Sequence, residues 1–254
     1  YTLTYVGADL TIGLRSVEIT AAPKSKTYGD ADPALTYSIT SGSLAFSDAF
    51  TGSLTRAAGE NIGDYAITQG SVALNANYTL TYVGANMVIT QLAVTVTADT
   101  KTKVYGQVDP ALTFVSSPAV GSLLANGHTI SFTGALSRTA GETVVGSPYA
   151  IGQNTVANSN YTITYVGANF TITPLAVTVA ADVKTKVYGQ VDPALTFVSS
   201  PAVGSLLANG HSISFTGSLS RAVGETVLGS PYAIGQNTVA NSNYVITYVG
   251  ANLT

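Results

Sequence analysis

Side chains able to do chemistry are few in this chain, and almost all of them come in threes. Arg56 and Glu60, Arg138 and Glu142, and Arg221 and Glu225 mark the ends of three Arg-x-x-Gly-Glu segments. A turn between the two residues would bring guanidinium and carboxylate together in the planar geometry that arginine favours. Fixing that turn is the expected role, ahead of ligand binding. Asp32, Asp109 and Asp192 each precede a proline, Pro33, Pro110 and Pro193, as in a turn that opens with Asp as a local acceptor and Pro fixing φ. Tyr28-Gly29, Tyr105-Gly106 and Tyr188-Gly189 stand just upstream, the glycine supplying a permissive backbone after the ring. Lysine occurs only as the pairs Lys24/Lys26, Lys101/Lys103 and Lys184/Lys186. Alternate positions of an extended segment share a face, so both ammonium groups of a pair are expected on one solvated face.

None of this makes a catalytic constellation, and no enzyme activity is expected. The two histidines, His128 and His211, lie beside Asn-Gly in two copies and have no counterpart in the first, which reads as a loop residue rather than a general base or metal ligand. Asp30-Ala31-Asp32 offers two carboxylates to calcium, but the other copies read Gln107-Val108-Asp109 and Gln190-Val191-Asp192, and calcium takes about six to eight oxygens. A lysine-to-asparagine crosslink would need a buried lysine near an asparagine and an acid. Lys101, Lys103, Asn160 and Glu142 supply those types, but lysines on a solvated face argue against it. Tyr161 and Tyr165 alternate with threonine and should face the core with their hydroxyls at the rim, in preference to forming a platform for sugars. No catalytic residue, cofactor or metal is assigned.

The elements that must position these residues belong to one module written three times. Each Tyr-Gly…Asp-Pro-Ala-Leu-Thr phrase is followed by Arg-x-x-Gly-Glu, then Tyr-Ala-Ile, then Asn-Tyr-x-x-Thr-Tyr-Val-Gly-Ala-Asn. Residues 92–171 and 175–254 align without a gap and differ at nine positions: Thr97/Ala180, Thr100/Val183, Thr129/Ser212, Ala135/Ser218, Thr139/Ala222, Ala140/Val223, Val145/Leu228, Thr162/Val245 and Phe170/Leu253. The modules read as residues 14–91, 92–174 and 175–254. Tyr1 to Asp9 repeats Tyr78 to Asn86, so residues 1–13 read as the closing strand region of an earlier module and the array is expected to be longer.

Leu92-Ala93-Val94-Thr95-Val96-Thr97 and Tyr161-Thr162-Ile163-Thr164-Tyr165 alternate apolar and hydroxyl residues at period two, the mark of half-buried strands. Gly167-Ala168-Asn169 should reverse or bulge the last strand. The candidates for a short helix are residues 42–50 and, in the later copies, Ser122 to His128 with its counterpart. The expected class is mainly β: a tandem array of β-grasp-like or sandwich-like modules of about 80 residues, with room for one short helix each. Linkers as short as Thr90-Gln91 and Thr173-Pro174 pass directly from a closing strand to an opening one, so the array is expected to be an elongated, semi-rigid rod.

Composition excludes several partners. Charged residues make up 9% of the chain, against roughly 25% in an ordinary soluble domain. A net charge of −3 leaves no basic stripe for phosphates, so no nucleic-acid partner is expected. No apolar run reaches the ~20 residues of a membrane span. Without cysteine, stability must come from packing and strand pairing.

The order Lys-x-Tyr-Gly, Asp-Pro-x-Leu-Thr, Gly-x-Leu-x-Arg-x-x-Gly-Glu, Tyr-x-Ile and Asn-Tyr-x-x-Thr-Tyr resembles the MBG domain of the YGX type. In the first module the matching residues include Lys26, Tyr28, Gly29, Asp32, Pro33, Leu35, Gly52, Leu54, Arg56, Gly59, Glu60, Tyr65, Ile67, Asn77, Tyr78 and Tyr82. That resemblance implies a tandem module of large secreted and surface-attached bacterial proteins, many of them predicted adhesins. It implies a β-rich domain related to the β-grasp modules of mucin-binding adhesin repeats, and it brings no catalytic residues. A stalk or spacer at the bacterial cell surface is the leading expectation. Multivalent binding of host glycan or matrix protein, and self-association with other copies in an extracellular fibre, are the alternatives, beside the neighbouring repeats of the same chain as partners.

Overall fold

The computed structural model describes residues 1–254. In the first repeat, alternation at period two yields seven strands: β1 (Arg15–Ala21), β2 (Lys24–Thr27), β3 (Tyr37–Ser41), β4 (Thr55–Arg56), β5 (Gly63–Thr68), β6 (Tyr78–Val83) and β7 (Ala85–Thr90). They form two sheets, ordered β3-β1-β6 and β2-β7-β5-β4. Two long strands run through both sheets. β1 is parallel to β6 from Arg15↔Tyr78 to Thr20↔Val83, and β2 is parallel to β7 from Lys24↔Met87 to Thr27↔Thr90. The first long strand breaks at Ala22-Pro23, where proline lacks the N–H a ladder needs, and the second at Gly84. The residue offset between the paired strands is the same on both sides of the break, so the glycine carries the closing strand from one sheet into the other without reversing it. β3, β5 and β4 complete the sheets by antiparallel pairing, with β3 and β4 at edges and β5 between β7 and β4.

The second repeat has β8 (Leu92–Ala98), β9 (Lys101–Val104), β10 (Phe114–Ser117), β11 (Ser137–Arg138), β12 (Tyr149–Gly152), β13 (Tyr161–Val166) and β14 (Ala168–Thr173), in sheets β10-β8-β13 and β11-β12-β14-β9. The third has β15 (Leu175–Ala181), β16 (Phe197–Ser200), β17 (Ser220–Arg221), β18 (Tyr232–Gly235), β19 (Tyr244–Val249) and β20 (Ala251–Leu253), in sheets β16-β15-β19 and β17-β18-β20. Its lysine segment keeps one parallel bridge, Lys184↔Leu253, in place of a full strand. The chain is thus mainly β in three tandem repeats, as expected.

The helix candidates do not form. Residues 42–50 make turns, with Phe46 at φ 53° and pointing into solvent while Leu44 and Phe50 pack on the core. Residues 122–128 make a hairpin-like loop held by Leu123↔Thr129. Both segments are too short, and too rich in Gly, Ser and Asn, to repay helix nucleation. The one helical turn is a 3-10 segment at Val227–Gly229, capped by the Thr226 side chain.

A separate interior for each repeat is not what the packing gives. The first core is built from Val17, Ile19, Ile67, Met87 and Ile89, and it takes in Val94, Ile130 and Tyr161 from the second repeat. Two compact units result. One comprises Tyr1–Thr95, Ser116–Thr133 and Ala157–Thr164; the other comprises Val96–Val115, Gly134–Val156 and Tyr165–Thr254. Each unit joins the Tyr-Gly end of one repeat to the loop end of the next. No helix is long and apolar enough to cross a membrane.

Candidate functional site at the joint between repeats

Strand β2 places Lys26 beside β7, and the turn after β4 brings Glu60 over it. Lys26 Nζ donates to Asp32 Oδ1 at 2.7 Å, Glu60 Oε2 at 2.6 Å and the Asp30 carbonyl at 3.1 Å. Arg56 closes the ring from the other side. Its Nε donates to Asp32 Oδ2 at 2.6 Å, Nη1 donates to the Gly59 carbonyl at 2.6 Å, and Nη2 pairs with Glu60. Tyr65 lies under the guanidinium at 5.4 Å. That ring fills the space a Cβ on Gly59 would need, 2.2 Å away, and Gly59 sits at φ 142°, so only glycine fits the Arg-x-x-Gly-Glu turn.

Two cations and two carboxylates therefore alternate in a neutral ring. The ring recurs as Lys103, Asp109, Arg138 and Glu142, and as Lys186, Asp192, Arg221 and Glu225. The lysine side chains are 3%, 2% and 10% exposed in the three copies. These lysines are not on a solvated face: Lys26 and Lys103 are buried and Lys186 half-buried, each with its charge matched by two carboxylates.

Electrostatics lock the protonation states. The Arg56 hydrogen bond, with Lys26 adding to it, outweighs burial and holds the Asp32 carboxyl below the usual range. Burial opposes ionisation of Glu60 and Asp109, yet the hydrogen bonds from their lysine and arginine partners prevail and depress both. Burial likewise works against the Lys26 ammonium, but Asp32 and Glu60 hold its pKa above the ordinary lysine value. The ring thus holds an ammonium and a guanidinium against two carboxylates and ties together the turns that carry them. The Asp carboxylates expected to cap local turns are committed to the ring instead, both oxygens of Asp32 included, and no group of three or more His, Asp or Glu has metal-holding geometry.

Beside the ring, the Tyr-Gly corner receives the next repeat. The Tyr28 hydroxyl and His128 Nδ1 share a hydrogen bond of 2.8 Å, Tyr161 meets the Tyr28 ring edge-on at 5.8 Å, and Asn126 N donates to the Gly29 carbonyl at 3.0 Å. Leu124 packs directly on Gly29, at φ 95°, where a Cβ would lie 2.8 Å from its Cδ1. A second contact follows at the turn after Glu60: Ile62 N donates to Asn160 Oδ1 at 3.0 Å, and Asn160 Nδ2 donates to Asn61 Oδ1 at 3.1 Å. The one-residue linker is clamped too, since Gln91 Nε2 donates to the Ser159 carbonyl and Gln91 Oε1 accepts from Thr162.

The other unit repeats the joint. Tyr105 and His211 Nδ1 are 2.8 Å apart, Tyr244 lies edge-on to Tyr105 at 5.8 Å, Asn209 N donates to Gly106 O at 2.9 Å, and Val144 N donates to Asn243 Oδ1 at 2.9 Å. Here Asn209 Nδ2 also reaches Glu142 Oε2 at 3.3 Å, tying the loop to the charge ring.

A family model for the MBG domain (YGX type) matches residues 17–88, 94–171 and 177–254. The chain belongs to this family. No curated protein and no solved structure matches it at a significant level.

Each MBG domain thus carries a socket, the Tyr-Gly corner with its charge ring. Domains two and three also carry a plug, the Leu-Leu-Ala-Asn-Gly-His loop with the Asn-Tyr pair that opens β13 or β19. The marker residues fall into two groups. Asp32, Arg56 and Glu60, with Asp109, Arg138 and Glu142 and with Asp192, Arg221 and Glu225, form the rings. Tyr28-Gly29 and Tyr105-Gly106 form occupied sockets, whereas Tyr188-Gly189 is open. Pro33, Pro110 and Pro193 follow the ring aspartates, Pro110 exposed and the other two half-buried.

Sequence reasoning missed three partners. The histidines lie in loops, as read, but each bonds to a tyrosine of the preceding domain. Asn160 and Asn243 are joint residues, and with its carboxamide held by Ile62 and Asn61, Asn160 is not placed as a crosslink partner for a lysine. Lys26 and Lys103 are buried ring members. The signal available for the histidines was the Leu-Leu-Ala-Asn-Gly-His segment that the second and third repeats share and the first lacks. Tyr161 faces the core, as its alternation with threonine indicated.

Proposed function

We propose that this chain is a stalk segment, in which tandem MBG domains form the shaft of an extracellular bacterial adhesin or surface filament and hold another part of the molecule at a distance. The observation that carries this reading is the joint. Linkers of one residue, and the same plug-and-socket hydrogen bonds at the same positions in both joints, suit a chain whose job is to transmit length rather than to turn over a substrate. The neutral, fully paired charge rings support it as well, because they consume most of the chain's ionic groups in holding turns. Tyr28, Tyr105, Tyr161 and Tyr244 are buried in the joints, which favours the stalk over a multivalent glycan binder that would need exposed rings.

Small-angle scattering on chains of two, three and four domains tests the proposal. A compact domain of this size spans on the order of 30 Å, so the maximum dimension should rise by a constant increment of that order with each added domain. A dimension that barely changes as domains are added would reject the stalk.

A further inference from the structure

The same corner occurs three times, and its third copy is uncovered. Tyr28 and Tyr105 are each 5% exposed, whereas Tyr188 is 72% exposed. Gly189 holds the backbone of the occupied corners, with φ 88° against 95° and 90°, yet a Cβ there would meet nothing within 4 Å. Leu124 and Leu207 fill that space on Gly29 and Gly106. Glu225 is 60% exposed at its side chain, where Glu60 and Glu142 are 26% and 29%. The ring beneath is nevertheless assembled: Lys186 and Arg221 bridge Asp192 at 2.7 and 2.6 Å and both pair with Glu225. An open cleft of about 130 Å³ lies over it, lined among others by Lys186, Tyr188, Glu225, Val227 and Tyr232.

We propose that the Tyr188-Gly189 corner is a docking site for a plug of the Leu-Leu-Ala-Asn-Gly-His type, carried by a further repeat of the same kind. The two occupied joints specify the occupant's chemistry. A leucine covers the glycine, a backbone N–H donates to the Gly189 carbonyl, an imidazole nitrogen meets the Tyr188 hydroxyl, and, as in the second joint, an amide donates to the exposed Glu225 carboxylate. An asparagine carboxamide then accepts from the Val227 N–H, as Asn243 accepts from Val144. The loop of the first repeat, Leu44-Ala45-Phe46-Ser47-Asp48, has no Asn-Gly-His and does not meet this description. Because the ring is built before the plug arrives, docking needs little rearrangement of the socket.

This inference rests on the reading of the joint that supports the stalk. The test adds an isotope-labelled copy of residues 172–254 after Thr254, since Thr254 aligns with Thr171, and follows nitration of individual tyrosines by mass spectrometry, with amide exchange in the added copy's counterpart of β18 reporting that it has folded. Nitration of Tyr188 should fall to the level of Tyr105. It should return when the added copy's counterparts of Leu207, Asn209 and His211 are changed to alanine. A folded added copy beside a Tyr188 as reactive as in the three-repeat chain overturns the proposal, as does protection that survives the alanine changes. Should Tyr188 stay reactive while the particle still lengthens by one increment, docking is rejected and the stalk reading stands.

Discussion

Alanine at Gly106 and alanine at Gly189 make a matched pair that isolates the joint from the backbone strain at its centre. Both glycines are left-handed, at φ 90° and 88°, so alanine costs each about the same ~1–2 kcal/mol in conformation. Only at Gly106 does the new Cβ collide, lying 2.7 Å from Leu207 Cδ1 and 3.2 Å from both Cβ and Cγ. Carbon contacts prefer roughly 3.5–4.0 Å. Because Leu207 Cβ is near the backbone, a rotamer change cannot clear the clash and the plug must lift. Lifting stretches the Asn209 N to Gly106 O bond of 2.9 Å and the Tyr105–His211 bond of 2.8 Å. Overpacking of this kind costs about 1–3 kcal/mol, a factor of roughly 5 to 150 in the equilibrium for local opening. Hydrogen exchange of the Asn209 amide reads that opening directly. Gly106→Ala should speed it by that factor, and Gly189→Ala should leave it unchanged. Equal rates at Asn209 in the two variants would refute the claim that the corner is an occupied socket.

Two further outcomes follow from the charge ring. Lys103→Met keeps the buried stem but removes the ammonium, leaving Asp109 and Glu142 to share Arg138. Breaking a buried pair costs about 3–5 kcal/mol, reduced here to roughly 1–3 because the carboxylates are 39% and 29% exposed. Urea unfolding should show that loss, while Lys101→Met, outside the ring, should stay within about 0.5 kcal/mol of the parent; equal losses would contradict the ring. The carboxylates Asp32, Glu60, Asp109 and Glu142 are held below their ordinary values, and Asp192, bridged by Arg221 and Lys186, is lowered to about 2. Depressed acids contribute stability that is complete above the unfolded pKa and lost as pH falls through the folded one. Thermal melts should therefore be flat from neutrality down to about pH 5 and decline between about pH 4 and pH 2. A protein that gains stability across that window would exclude the pairing. The raised pKa of Lys26 has the opposite sign: its contribution is present below the ordinary lysine value and disappears as pH rises through the folded one.

Much of the fold was legible because it is written in the backbone's own period. Val17, Ile19 and Ala21 alternate with Glu18 and Thr20, and the buried set falls where period two puts it. The same rule failed at Lys26. It places Lys24 and Lys26 on one face correctly, but which face is decided by what lies across from β2, and there Asp32, Arg56 and Glu60 offer a neutral ring. A hint existed: in a chain with so little charge, an aspartate, an arginine and a glutamate keep fixed places beside the lysine pair in all three copies. Tyr28 and Gly29 were visible as a repeated marker and Asn160 as the asparagine of the crosslink reading, but none of them as a joint residue. Their roles depend on contacts between domains some 100 residues apart in sequence, as between Tyr28 and His128, and no local pattern encodes such a pairing. The helix candidates failed for a local reason, because Phe46 takes a positive φ in a turn where a helix needs a negative one.

The central claim is that a plug from one domain holds the next in a fixed relation. Since the chain has no cysteine, the pair Ala66→Cys and Thr129→Cys, on exposed positions of the first and second domains, can carry two spin labels at unique sites. Pulsed electron resonance then gives the distribution of distances across the joint. A single narrow distribution, broadened when Leu124→Ala and His128→Ala are added, is the result predicted here. A broad distribution in the unaltered joint would mean that the domains swing freely on Gln91, and the account would be wrong.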